Sequence, residues 1–369
     1  MQALGGFTVG VTADRRAGEQ VELFEGMGAA VVHGACLRSV VTAEDRSLRA
    51  VTAALIDQPP AVVVANTAVG MRRWLALAQV WGMGERLLVA LRSTRIVARG
   101  AQVAGAVVRE GLEVAWRAPS ETLAEVLAHV AADVAGAPGT RVALQSDGGG
   151  SPGAADALRA AGATVVAVDV YRWVPPADPV GPRRLVDAVL DGRVDVVTFT
   201  AAPAVRGFLS AAGPRRARLV SAFARGRVTA ACVGPHCAAA AGQGGLGEVL
   251  VPPRARLAAL VRSVALRLQE RVSEVRLAGV PVRVQGTLLE VDGTTVELTA
   301  RERWLFHALL GRHDVMCSKS SLSRTAWTGA VDDHTVEVTV NRLRRKLGPV
   351  STALETTARR GYRLVTDTR

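Results

Sequence analysis

Apolar and polar positions through residues 1–255 follow one recurring unit: a strand-length apolar run, a turn of small residues, then a stretch of helical period. Strand-length runs occupy 8–12, 61–65, 87–90, 141–145, 195–200 and 228–233. Strands alternating with helices predict parallel sheets covered by helices, the α/β class. Gly28 and Gly162 fall where a helix hands over to the next strand. Two segments repeat. FEGMGAAVVHGACLR at 24–38 matches LRAAGATVVAVDVYR at 158–172, and PAVVVANTAVGMRRWL at 60–75 echoes VDVVTFTAAPAVRGFL at 194–209. The pattern therefore predicts two similar α/β lobes joined by two extended crossings. In each lobe a strand ends in Thr or Asn just before a helix begins. Free backbone N–H groups at such a helix start suit carboxylates or phosphates.

Beyond residue 252 the pattern changes. PPRARLAALVRSVALRLQERVSEV, at 252–275, reads as one long amphipathic helix. Short alternating strands follow, with Asp292-Gly293 as a hairpin turn, and a domain boundary is expected within 272–279. Thr299 and Glu302 fit a capping box ahead of a helix carrying Trp304, Leu305, Ala308 and Leu309 on one face. A second short helix is expected from near Ser318, containing Leu322 and Trp327. The third occupies DDHTVEVTVNRLRRKLGP at 332–349. Val336, Val340, Leu343 and Leu347 form its core stripe. Asp332 and Asp333 suit its positive end, and Gly348-Pro349 stops it. Thr335, Val338, Thr339, Arg342 and Arg345 fill much of the rest, with Arg344 and Lys346 on the flanks. A closing hairpin carries Arg359, Arg360 and Gly361 near its tip. From 339 to 363 the basic residues Arg342, Arg344, Arg345, Lys346, Arg359, Arg360 and Arg363 face one acid, Glu355. A basic helix face alone fits a solvated surface as well as a DNA reader. Three helices followed by an arginine-tipped hairpin is winged helix–turn–helix order.

The net charge of +12 over 369 residues points to an anionic partner, either nucleic acid or a polycarboxylate. Part of that basicity is compositional. Only Lys319 and Lys346 are lysines, and the Arg, Ala, Gly and Val usage is that of a G+C-rich coding sequence. Cys36, Cys232, Cys237 and Cys317 form no CxxC pair and no metal-type spacing with histidine, so no metal is expected. Cys237 beside His236 reads as a buried, inert thiol. No apolar run reaches the ~18–20 residues of a membrane span, and residues 1–11 lack a leader pattern. A cytoplasmic location without membrane partners is expected.

Residues 275–369 resemble the DNA-binding domain of OmpR/PhoB-type response regulators. The resemblance rests on VDGTTVELTARERWLFHALL, the tryptophan of TAWTG, HTVEVTVNRLRRKLG and the terminal RGYRL. It implies a leading four-stranded sheet, three helices and a C-terminal wing, with the third helix in the major groove of promoter DNA. Val338, Arg342 and Arg344 then hold base- and phosphate-contacting positions, with Thr339, Asn341 and Arg345 beside them. Arginine suits that place, because its fork pairs with guanine O6 and N7 or clamps phosphate. The wing departs from the family pattern. The usual arginine position is Ala358, while Arg359 and Arg360 stand where a glycine and a small apolar residue are common. Both arginines are candidates for DNA contact. Implied partners are double-stranded promoter DNA, RNA polymerase and a second copy of the chain on DNA. A receiver domain is not expected ahead of this module, since no lysine precedes Lys319 and no cluster of strand-end acids is present.

Residues 1–271 resemble uroporphyrinogen-III synthase, diffusely but throughout. The pieces are VTADRRAGEQVELFEGMGAAVV, VVVANTAVGMRRWL, GATVVAVDVYRW, VDVVTFTAAPAVRGFL and VTAACVGPHCAAAA. The family fold is two lobes of parallel sheet flanked by helices, with a two-stranded bridge. It implies lobe one from 1–36 with 174–253, lobe two from 40–169, a linker helix at 254–271 and a cleft holding a tetrapyrrole. The family reaction closes linear hydroxymethylbilane into a ring, inverting the last pyrrole with loss of water. That chemistry needs a proton donor near the leaving group and N–H donors for many carboxylates. The resemblance puts Tyr171 in the donor's place. It makes Thr12, Thr67, Ser146, Tyr171, Thr200 and His236 the ligand-contacting candidates. The family's Thr-Ser is Thr200-Ala201 here, and its Gly-Pro-Thr-Thr turn is Gly234-Pro235-His236-Cys237. The glycine-rich SDGGGSPG at 146–153 lacks the basic residue often found there. Binding survives such losses more readily than catalysis does.

The sequence is therefore read as a one-component transcriptional regulator. A synthase-like domain senses a tetrapyrrole or other polycarboxylate, no cofactor is required, and a winged helix binds the promoter. Such fusions resemble actinobacterial regulators of nitrate and nitrite assimilation. The alternative is a bifunctional uroporphyrinogen-III synthase that also binds DNA. A third reading is a basic scaffold without sequence preference.

Overall fold

The structure is a computed structural model that describes residues 2–41, 46–146, 148–149, 152–327, 331–357 and 360–367. Two compact units form, one from Met1–Arg38 with Pro175–Arg369 and the other from Ser39–Val174. Unit one opens with β1 (Thr8–Val11), α1 (Ala17–Gly26) and β2 (Ala30–His33). The short β3 (Arg38–Val40) leads into unit two. There follow α2 (Arg46–Asp57), β4 (Val62–Ala65), α3 (Ala68–Val80), α4 (Gly84–Arg92), β5 (Arg95–Ala98) and α5 (Ala101–Val108). Next come β6 (Trp116–Arg117), α6 (Leu123–Ala135), β7 (Arg141–Gln145), α7 (Pro152–Ala160), β8 (Thr164–Val168) and β9 (Arg172–Val174). The chain re-enters unit one with α8 (Val180–Leu190), β10 (Val196–Phe199), α9 (Ala202–Ala211), α10 (Arg216–Ala224), β11 (Thr229–Cys232), α11 (Pro235–Gln243) and β12 (Val249–Leu250).

Each unit holds a five-stranded parallel sheet, ordered β12-β11-β10-β1-β2 in unit one and β6-β5-β4-β7-β8 in unit two. Their central strands are apolar but for Thr198, because helices cover both faces: every residue of β4 and of β10 is buried. The two orders correspond. β7-α7-β8 holds in unit two the place of β1-α1-β2 in unit one, and β4-α3 that of β10-α9. The sequence echo is thus a repeat of topology. Gly28 and Gly162 adopt left-handed conformations (φ +92° and +99°) just past α1 and α7. The short β3 and β9 pair as a separate two-stranded sheet.

Two expectations are overturned. Residues 87–90 lie within α4 rather than in a strand; Leu87, Ala90 and Leu91 are its buried face at helical spacing. A four-residue apolar run carries too little periodicity to separate the two, and the strand is β5, a few residues on. The helix expected over 252–275 is shorter. It is α12 (Leu257–Gln269), with Leu260, Val264 and Leu268 buried at four-residue spacing. Val272 continues the stripe against the same core, but the helix has already ended at Gln269. Instead Ser273 and Val275 pair with Val284 and Val282 in an antiparallel ladder.

The rest of unit one is the C-terminal module. Strands β13 (Ser273–Leu277), β14 (Val280–Gln285), β15 (Leu288–Val291) and β16 (Thr294–Glu297) form a four-stranded antiparallel sheet. Asp292 (φ 49°) and Gly293 (φ 73°) make the β15–β16 turn, both left-handed as a two-residue hairpin requires. Helices α13 (Ala300–Leu310), α14 (Lys319–Ala326) and α15 (Asp333–Leu347) precede the hairpin of β17 (Leu354–Thr357) and β18 (Gly361–Leu364). This is a winged helix. Thr299 and Glu302 form the expected capping box at α13. Val336, Val340, Leu343 and Leu347 are fully buried and share a core with Leu305, Phe306 and Leu309. Burying each such side chain stabilises by ~1.5–3 kcal/mol. No described helix is long and apolar enough to cross a membrane.

Candidate DNA interface and ligand sites

Helix α15 is fixed before it can read anything. Asp332 caps it, accepting from Thr335 N at 2.8 Å, and Lys319 of α14 pairs with Glu337. At the far end Lys346 reaches the buried carboxylate of Glu302 at 2.7 Å. Burial alone would raise the Glu302 carboxyl; the Lys346 ammonium and the Thr299 hydrogen bonds outweigh it and hold the group below the usual range. With its apolar stripe buried, α15 turns Asn341, Arg342 and Arg345 to solvent. Among the described residues, Arg342 and Arg345 have no hydrogen-bond or ion-pair partner. Val338 is half-buried beside them.

The remaining predicted DNA contacts fare differently. Thr339 is buried, and its hydroxyl donates to Thr335 O at 2.8 Å, so it lies off the open face. Arg344 is committed within the fold. Its Nε and Nη2 donate to Leu354 O at 3.1 and 2.7 Å, Nη2 also reaches Thr356 Oγ1, and the guanidinium sits 5.9 Å from the Tyr362 ring centre. This fork braces the hairpin against α15. The family resemblance had put Arg344 at a DNA-contacting position, and the brace became visible only once strand β17 was placed. Arg360 is exposed at the hairpin turn. Arg359 lies outside the described residues.

The ligand candidates gather at the carboxyl ends of the two sheets, where the strand order reverses and open α/β sheets bind ligands. In unit two that point lies between β4 and β7. Thr67 caps α3, accepting from Gly70 N at 3.0 Å, while its own N–H and hydroxyl donate to Gln145 Oε1 at 2.8 and 3.2 Å. Ser146 follows Gln145. Its hydroxyl and the Asn66 amide nitrogen are buried without a hydrogen-bond partner among the described residues, although Asn66 Oδ1 accepts from Arg99 at 3.1 Å. Tyr171 is 6% exposed, edge-on to Trp173 at 5.7 Å, with the Arg73 guanidinium 5.7 Å from its ring centre.

In unit one the switch lies between β1 and β10. The Thr12 hydroxyl is spent internally, donating to Thr198 O at 2.7 Å in a fully buried position. Thr200 is half-buried where α9 begins, and His236 is exposed on the first turn of α11. Neither helix has a side-chain cap. Next to His236, the Cys237 thiol is buried and donates to Phe199 O at 3.5 Å; the neighbouring Cys232 thiol and burial both raise its pKa, and with it the barrier to forming a thiolate. Burial likewise pushes the Cys36 thiol up to about 12.

Comparison with known proteins assigns both regions. The family of uroporphyrinogen-III synthase HemD matches residues 19–262. The C-terminal domain of transcriptional regulatory proteins matches 293–364. A solved structure of a mutant uroporphyrinogen III synthase from the extreme thermophile Thermus thermophilus superposes with a TM-score of 0.61 at 26% identity, covering 72% of this chain and 100% of that one. A protein of Methanothermobacter thermautotrophicus, named provisionally as a uroporphyrinogen-III synthase, is 32% identical over 115 residues, 31% of this chain and 44% of its own. The sensory transduction protein BceR of Bacillus subtilis is 33% identical over 88 residues, 23% of this chain and 38% of its own. The chain thus spans less than half the length of each of these two relatives. It belongs to the uroporphyrinogen-III synthase HemD family and carries, in addition, an OmpR/PhoB-type DNA-binding domain of transcriptional regulators.

Proposed function

We propose that this DNA-binding regulator is a one-component sensor: the synthase-like region binds a tetrapyrrole or other polycarboxylate and sets the affinity of the winged helix for promoter DNA. The observation carrying the DNA half is the open Asn341, Arg342 and Arg345 face of α15, opposite a fully buried stripe. Arginine forks there reach base edges and phosphates together. For the ligand half, support comes from the unpartnered Ser146 hydroxyl and Asn66 amide and from the uncapped starts of α9 and α11. Within its own unit, each pair offers donors of the kind carboxylates accept. Ligand shifts DNA affinity only through unequal binding to two conformations. RNA polymerase and a second copy of the chain on the promoter are the expected partners, and genes of nitrate and nitrite assimilation the expected targets.

The bifunctional synthase is the competing reading. It would use Tyr171 as proton donor, yet that ring is packed against Trp173 and Arg73. Ala201, His236 and Cys237 have replaced family hydroxyls. Expression of the full chain in a synthase-deficient host decides between the two: no rescue is expected, and rescue would establish the enzyme. Mapping of bound DNA across the genome tests the regulator. Discrete promoter peaks are expected, and uniform coverage would remove the sequence-specific reading.

A further inference from the structure

Within unit one the winged helix is fastened to the five-stranded sheet by three separate attachments. The first is a buried ion pair. Arg303 of α13 meets Asp195 Oδ1 at 2.7 Å, with side chains 3% and 4% exposed. A second Arg303 nitrogen donates to Gly192 O at 3.0 Å. Asp195 enters the central strand β10, and its other oxygen accepts from Thr8 N of β1 at 2.9 Å. The second attachment is Arg227, just before β11. It is buried, and one nitrogen donates to Thr325 O and, at 2.7 Å, to Trp327 O, the carbonyls that close α14. The Trp304 ring lies 5.6 Å from the Arg227 guanidinium and 5.1 Å from that of Arg303. In the third, Gln285 donates to Gln2 O and Gly5 O at 2.8 and 3.0 Å, and Thr287 N to Gly6 O at 2.8 Å. Gly286 passes so close that a Cβ there would stand 2.2 Å from Gly6 O.

Opening this dock would strip partners from three buried charged groups, Arg303, Asp195 and Arg227, at once, which a transient, switchable contact avoids. The attachments use the start of α13, the end of α14 and the β14–β15 turn. None uses α15, whose Asn341, Arg342 and Arg345 are exposed with the dock closed. We propose that the winged helix and the five-stranded sheet of unit one are a single permanent body: DNA is read with the dock closed, and ligand control operates without releasing the module. The proposal excludes a tethered reader that is masked until it swings free. Its DNA clause rests on the regulator reading above.

The test follows amide hydrogen exchange in the full chain, alone and saturated with a labelled duplex enriched by that chain from a random pool. Segments 190–199 and 300–308 report the dock. Exchange in both is expected to change by less than about twofold on duplex binding, and Arg227→Met, which loosens the α14 attachment, is expected to bind duplex no more tightly. Acceleration of both segments by about tenfold, or about tenfold tighter binding by the variant, overturns the proposal. If the wild-type chain binds no duplex, the DNA reading fails on its own account. The dock is then judged by exchange against urea: one shared curve for the two segments sustains the single body, and two separate curves overturn it.

Discussion

The C-terminal module carries arginines on two faces, and the same side chain does opposite work on each. On α13, Arg303 is 3% exposed and paired with Asp195. On α15, Arg342 and Arg345 are exposed and touch no described partner. A buried guanidinium persists only with its charge compensated, so it fixes position and is lost to recognition. An exposed one keeps its donors for an external anion. Arg344 stands between the two cases, half-buried and holding the hairpin through Leu354 O. Net charge counts all of these arginines alike, whereas burial and partners divide them.

Removing the buried charge partner should have the largest effect. Arg303→Met leaves Asp195 uncompensated and is expected to cost ~3–5 kcal/mol in urea unfolding; a loss below ~1 kcal/mol would erase the difference between the faces. Acid comes next. His307, on the docked helix, has its pKa lowered to about 4 by burial and then by Arg303 and Arg271. Between an unfolded value of ~6.5 and about 4 the unfolded chain binds a proton that the folded chain refuses, so stability falls as pH falls through that window, by ~3 kcal/mol in all. His307→Gln should flatten the slope, and an unchanged slope would place the proton elsewhere.

On the open face, Arg342→Ala is expected to weaken binding to a preferred duplex by ~1–3 kcal/mol and relax sequence preference, with folding stability within ~0.5 kcal/mol of wild type. Unchanged affinity would remove Arg342 from the reading surface. Arg344→Lys and Arg345→Ala sharpen the division further. Loss of Arg345 should lower the slope of log affinity against log salt by ~1, as a lost phosphate contact does. Arg344→Lys keeps its charge but loses the fork, so affinity should fall with the slope unchanged. The smallest effect belongs to the cap. Thr299→Ala should cost ~1 kcal/mol of stability by thermal melting, with DNA affinity unaltered.

What was legible in the sequence was local. The capping box, the Asp292-Gly293 turn and the α15 stripe each depend on residues a few positions apart, and all three formed as read. The lobe repeat was legible because identical strand–helix units keep identical patterns. Long-range pairings left no such trace. Arg303 and Asp195 are 108 positions apart, and neither looks unusual in its own segment. The family resemblance put Thr339 beside the DNA-contacting positions, yet a back-bond to Thr335 let it be buried. The synthase resemblance made Thr12 and Thr67 ligand candidates, but the fold spends their hydroxyls on Thr198 and Gln145. Ser146 stands apart, with a buried hydroxyl that has no described partner.

The claim that this chain reads DNA sequence through α15 meets its most direct test in one titration. The full chain is measured against its enriched duplex and against a scrambled duplex of equal length, at one salt concentration. The account predicts at least ~10³-fold tighter binding to the enriched sequence. Equal affinity for the two would mean that the arginines of α15 hold phosphate alone, and would contradict it.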